Sequence, residues 1–146
     1  VMRALVQRVV KATVRVENQT VGAIAQGLCV FVGVTHEDSF EESDQLVKKI
    51  VSLRIMDDEN GVMNKSVIDV DGEILIVSQF TLYGDTSKGR RPGWSAAAAP
   101  DHAEPLIERV VEGVKAAGVV VETGRFREHM QVELINDGPA TLMIEI

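Results

Sequence analysis

The chain has 146 residues and a mass of 15.9 kDa, with 45% hydrophobic and 25% charged residues, the size and mix of one ordinary folded domain, which excludes a disordered or fibrous chain. Acidic residues outnumber basic ones 22 to 15, giving a net charge of −7 and a pI near 4.9, which excludes a broad nucleic-acid coat but leaves open a contact with one end of a nucleic acid. The single cysteine excludes an internal disulfide framework, and no apolar run approaches the ~18–20 residues of a membrane span. The first residues, VMRALVQRVV, lack a signal-peptide core and cleavage site. The expectation is one domain over residues 1–146, soluble and cytoplasmic, without a membrane partner.

In chain order, residues 2–10 form a β-rich run. Ala12, Val14 and Val16 alternate with Thr13, Arg15 and Glu17, Asn18-Gln19 reads as a turn, and Val21–Ala25 as a return strand. Leu28–Val34 is almost wholly apolar, the pattern of a strand covered on both faces, with Cys29 as a buried thiol inside it. The period then changes. Ser39 with Glu42 three residues on reads as a capping box, followed by Leu46, Val47, Ile50, Val51 and Leu53 at helical spacing. Asp57-Asp58-Glu59-Asn60-Gly61 reads as an acidic turn, with a cation site as the alternative. Ile74–Val77 is a second buried strand, and residues 84–95 are one long polar loop. Pro100 opens a second helix to about Ala117, ended by Gly118. Val119–Thr123, Met130–Ile135 and Thr141–Ile146 read as strands. The order predicts an α+β fold: a largely antiparallel, barrel-like β core with two main helices and no regular βαβ alternation. No Rossmann fingerprint or P-loop is present, and His36, His102 and His129 show no metal spacing, so neither cofactor nor metal is expected.

Three segments could carry chemistry. In Ser78-Gln79-Phe80-Thr81-Leu82-Tyr83-Gly84-Asp85 a buried strand runs into polar residues and then a glycine-bearing loop, an arrangement that builds sites as well as one that satisfies nearby backbone. Asn136-Asp137-Gly138-Pro139-Ala140-Thr141 carries a turn signal between two strands; a tight trans hairpin is the plain reading, and a cis bond, found in about 5–6% of X-Pro cases, the special one. Lys88-Gly89-Arg90-Arg91-Pro92-Gly93-Trp94 is the densest basic cluster, with a stacking face beside it, and suits a single-stranded nucleic-acid end as well as a solvated loop.

Taken together, Gln7-Arg8-Val9, Gly27-Leu28, Met63-Asn64-Lys65-Ser66, Ser78-Gln79-Phe80-Thr81-Leu82, Lys88-Gly89-Arg90-Arg91-Pro92 and Asn136 to Thr141 resemble the D-aminoacyl-tRNA deacylases of the bacterial and eukaryotic type, in order and from end to end. The resemblance implies hydrolysis of the ester joining a D-amino acid, or glycine, to the 3′-terminal adenosine of tRNA. It implies a homodimer whose partner is the aminoacyl-tRNA 3′ end. It places the site at Ser78, Gln79, Phe80 and Thr81, a cis Gly138-Pro139 turn reaching into the other subunit's site, Arg8 as its support, and Phe126 and Met130 at the adenosine. Three departures stand out: Arg127-Glu128 where the family has a small Gly-Ala pair, Ala140 for a commoner Val, and Trp94 for a commoner Phe.

The residues fit that chemistry. An aminoacyl ester is already activated, so backbone N–H groups around Phe80 and Thr81 can stabilise the tetrahedral oxyanion while water attacks and the substrate's 2′-hydroxyl assists. No base neighbours Thr81 in sequence, and a threonine hydroxyl is a weak nucleophile without one. Carbonyls of a rigid Gly138-Pro139 turn would bind the amino group and exclude an L side chain by clash, leaving glycine unopposed. A non-catalytic RNA-end binding module and a Thr81-dependent esterase remain the alternatives.

Overall fold

The long alternating stretch at the start of the chain becomes the strand on which the sheet is organised. The computed structural model describes every residue, Val1–Ile146. Strand β1 (Arg3–Val16) pairs along nearly its whole length with β8 (Gln131–Glu145). Its other edge is shared by β3 (Gly27–Gly33) over the first half and β2 (Gln19–Ile24) over the second, and all three pairings are antiparallel. The β1–β2 hairpin turns at Glu17 and Asn18, both left-handed at φ 51° and 65°. Positive φ at both central residues is the two-residue turn whose twist matches the strands, so the turn lies one residue before the expected Asn18-Gln19.

Helix α1 (Phe40–Ser52) begins at the expected capping box. The Ser39 hydroxyl accepts from the Glu41 N–H at 3.3 Å, and the Glu42 carboxylate accepts from the Ser39 N–H at 2.8 Å. A two-stranded excursion, β4 (Met56–Asp57) and β5 (Met63–Lys65), leads to β6 (Glu73–Ser78). Within it the Asp58 carboxylate accepts N–H bonds from Asn60 and Val62, and those bonds hold its carboxyl below the usual carboxylate range. The acidic run is thus a turn, as read from the sequence. Helix α2 (Pro100–Ala116) then returns the chain to β7 (Val120–Thr123).

Because a helix lies in each crossover, β3–β6 and β6–β7 are parallel pairs. The largely antiparallel sheet therefore contains two helical crossovers that local patterning does not reveal. The sheet curls until β2 and β7 meet. A Cβ on Gly22 would lie 2.6 Å from the Thr123 carbonyl oxygen, so only glycine permits the approach. Inside this near-barrel sit Val9, Ala12, Val14, Ile24, Cys29, Leu75 and Val77. Burial pushes the Cys29 thiol up to about 12. The larger apolar cluster, including Leu28, Val30, Val32, Ile74 and Ile76, lies between the sheet and the two helices. The helices pack closely where Gly113 meets Val47, and the buried Ser43 hydroxyl donates to the Leu106 carbonyl at 2.8 Å.

One expectation is corrected. Met130–Ile135 and Thr141–Ile146 are not two strands joined by a hairpin but the halves of the single strand β8. Its register runs Gln7↔Thr141 and Val9↔Asn136, so residues 137–140 all lie opposite Arg8. The segment is a wide bulge, because β1 continues straight past it and offers ladder partners on both sides. Pro139, which has no N–H, sits where no ladder bond is required.

Candidate active site

Strand β6 ends at Ser78, and the chain turns at Gln79 into a short 3₁₀ turn, Phe80–Tyr83. The Gln79 N–H is tied to the Val32 carbonyl at 2.8 Å, which fixes the turn to the end of β3. The turn's own bonds start with the Leu82 N–H to the Gln79 carbonyl, then Gly84 to Thr81. The N–H groups of Phe80 and Thr81 precede them and have no partner within the turn. The Gln79 side-chain amide donates to the Thr81 hydroxyl oxygen. The far end is anchored by the Arg3 guanidinium, which donates to the Leu82 carbonyl at 3.0 Å and stacks 4.5 Å over the buried Tyr83 ring. Burial first, and the Asp38 charge second, push the Tyr83 hydroxyl up to about 12.

Beside this turn opens a cleft of about 660 Å³, mostly apolar in its walls. Ser78, Gln79 and Phe80 line one side, Phe126 to Met130 another, Trp94, Ala97 to Pro100 and the α2 residues Ala103 and Ile107 a third, and Val32 and Val34 at the end of β3, with Val77 and Val132, complete the lining. Phe80 and Trp94 meet edge to face, 5.4 Å between centroids at 70°, and both remain about half exposed. Four segments far apart in sequence thus converge. Thr81 is exposed beside Phe80 and is not part of the cleft wall. Phe126 packs on the larger core and Met130 on the near-barrel core, so each presents itself to the cleft from a fixed base. A Cβ on Gly124 would lie 2.5 Å from the Met130 sulfur, so Gly124 makes room for it. Between Phe126 and Met130, Arg127 adopts φ 67°, a left-handed conformation that costs a side-chain-bearing residue about 1–2 kcal/mol.

Arg8, Gly138 and Pro139 form a second group, at the β8 bulge, and do not line the cleft of their own chain. Arg8 is 4% exposed. Its guanidinium donates to the carbonyls of Ile55 (2.8 Å), Asp137 (3.0 Å) and Gly138 (3.4 Å), and pairs with the carboxylates of Asp57 (3.0 Å) and Asp137 (3.2 Å). The Asn136 amide braces the bulge by donating to the Arg8 and Ala140 carbonyls. The Gly138–Pro139 peptide is cis, and both residues are exposed. The bulge is therefore a braced, outward-facing knuckle.

The loop carrying Lys88, Arg90 and Arg91 is exposed and closed at its base by the Asp85–Gly93 bridge. Sequence reasoning missed the small residues Ala97 to Ala99 and the α2 residue Ile107, which make the cleft wide enough to enter. The run of small residues before Pro100 was the one available signal.

The family model for D-Tyr-tRNA(Tyr) deacylase matches residues 5–145. The chain belongs to that family. Membership makes it a deacylase, an enzyme of the hydrolase class. Among its relatives, the D-aminoacyl-tRNA deacylase of Thermotoga petrophila is 54% identical over 144 residues, covering 99% of this chain and 97% of the relative. That of Clostridioides difficile is 53% identical with the same coverage. Among solved structures, one described as c-Myc DNA Unwinding Element Binding Protein is 38% identical with a TM-score of 0.92, covering 99% of this chain and 98% of that one. Another, described as a probable eukaryotic D-amino acid tRNA deacylase, is 22% identical with a TM-score of 0.85, covering 99% of both chains, and supports the shared α+β fold.

Proposed function

We propose that this protein hydrolyses the ester between a D-amino acid, or glycine, and the 3′-terminal adenosine of tRNA, acting in the cytoplasm as a homodimer of single-domain subunits over residues 1–146. The observation that carries the reading is the cleft. It brings Ser78, Gln79 and Phe80 together with Phe126 and Met130, a strand-end reaction centre beside an apolar slot of a size for a nucleoside. The adenine lies against Phe126 and Met130, and the ester reaches the turn at the end of β6. Water attacks the ester carbonyl carbon, and the N–H groups of Phe80 and Thr81 stabilise the oxyanion. The 3′ oxygen then leaves and takes up a proton, assisted by the adjacent 2′-hydroxyl. Gly138 and Pro139 of the other subunit bind the substrate's amino group and exclude an L side chain, with Arg8 holding the knuckle in shape. The exposed Gly138-Pro139 knuckle, the unpaired outer edge of β8 and the exposed Ile135 and Met143 on that strand support a second subunit there. No cofactor enters this scheme.

The direct test is the release of amino acid from one tRNA charged with D-Tyr, L-Tyr or Gly. D-Tyr and Gly are expected to be released and L-Tyr retained. Equal rates on D- and L-Tyr would remove the steric filter, and no release from any of the three would leave a binding module in place of an enzyme.

A further inference from the structure

Arg127 is the only Arg or Lys among the residues lining the cleft. It directly follows Phe126, is exposed, and its guanidinium makes no ion pair or hydrogen bond within the chain; Arg90, Arg91 and Arg125 are likewise unpaired but lie outside the cleft wall, while Arg3, Arg8, Arg15 and Arg109 are engaged with carboxylates. Its φ of 67° lies where residues other than glycine rarely sit, and such an outlier at a cleft points towards function. The surroundings sharpen the point. A second depression of about 280 Å³ shares Ser78 and Phe126 with the cleft and is lined by Glu104, Glu108 and Glu112, with Lys115 paired to Glu112, and Glu128 stands beside Arg127 in the cleft wall. A polyanion approaching a chain of net charge −7 meets carboxylates on that flank, so an unpaired guanidinium at the lip is where a phosphate would be held.

We propose that Arg127 is a phosphate-binding residue of the substrate site, gripping the phosphodiester on the 5′ side of the terminal nucleoside. This rests on the reading of the cleft as the seat of the 3′-terminal adenosine. The rest of the strand continues from the 5′ side of the terminal nucleoside and must leave the cleft, and Arg127, exposed and next to Phe126, is the one cation in the cleft wall to meet it. Guanidinium geometry matches two phosphate oxygens at once. Arg127 thus positions the strand and takes no part in bond cleavage.

The test compares the wild type with Arg127→Gly and Arg127→Lys on two substrates: D-Tyr-tRNA, and D-tyrosyl adenosine ester, which has no phosphate. Arg127→Gly removes the charge and suits the left-handed backbone, so the fold is retained. On D-Tyr-tRNA it is expected to raise KM several-fold at low salt with kcat within about two-fold. The slope of log kcat/KM against log salt should become shallower by about 0.7, the value for one phosphate contact in a single strand. Arg127→Lys should restore most of that slope, and the adenosine ester should be cleaved equally by all three proteins. Binding of the trinucleotide CpCpA, which carries phosphodiesters but no amino acid, compared with adenosine, gives the same discrimination independently of hydrolysis, and would stand even were deacylation itself absent. An unchanged salt slope and CpCpA affinity in Arg127→Gly would overturn the proposal, as would an equal loss on the phosphate-free ester.

Discussion

Thr81 is where two chemistries diverge. Its hydroxyl oxygen accepts from the Gln79 amide, and no histidine, carboxylate or lysine is hydrogen-bonded to it. An attacking threonine needs a base to take its proton, whereas a main-chain N–H donates regardless of the side chain it belongs to. The Thr81→Ala variant is therefore expected to keep its single-turnover rate on D-Tyr-tRNA within about ten-fold of wild type, with no acyl-enzyme accumulating. A loss beyond about 10²-fold, the scale of an essential proton-transfer group, with the fold intact, would establish the nucleophile model instead. At this scale the sequence was informative where chemistry and position coincide. Polar residues following a buried strand marked Ser78 and Gln79, and Trp94 stood out as an aromatic beside cations. Ala97 to Ala99 have no chemical signature, and their contribution, which is empty space, exists only once α2 is packed.

Elements were legible when their signals were local. The Ser39 capping box, the near-continuous apolar run of β3 and the 3.6-residue period of both helices each lie within a dozen residues. Parallel pairing of β3, β6 and β7 is a property of the crossovers, and β8 was divided in two because Asn-Asp-Gly-Pro is a sound turn signal locally. What overrides it is β1, which pairs on both sides of the bulge, together with Arg8, a residue 130 positions from Gly138 in sequence. The dependence of this bulge on one side chain is testable. Arg8→Lys keeps the charge but not the planar fork, so it cannot serve the Ile55, Asp137 and Gly138 carbonyls together. Leaving the buried Ile55 carbonyl without its donor costs about 1–3 kcal/mol. Urea denaturation is expected to show a loss of that order, and D-over-L discrimination should fall with it. An unchanged urea midpoint would mean that Asn136 alone holds the knuckle.

For the whole molecule the geometry poses one question: the cleft and the Gly138-Pro139 knuckle are both built, yet one chain does not bring them together. A two-fold dimer resolves this when the knuckle of each subunit enters the cleft of the other. Two variants separate that arrangement from a site complete within one chain. Phe80→Pro removes one proposed oxyanion N–H at the first position of the 3₁₀ turn, where proline is tolerated. Gly138→Glu alters the knuckle at an exposed position where a Cβ meets only the Asn136 side-chain oxygen at 3.6 Å, so the subunit still folds. Each variant alone should be inactive on D-Tyr-tRNA. After mixing in equal amounts and subunit exchange, verified by native mass spectrometry, half the dimers are mixed. Each mixed dimer holds one intact cleft facing one intact knuckle, so about a quarter of wild-type activity should return. Were the site complete within a single chain, no mixed dimer would contain an undamaged one and activity would stay at background. The same outcome, with exchange demonstrated, would remove the cross-subunit filter.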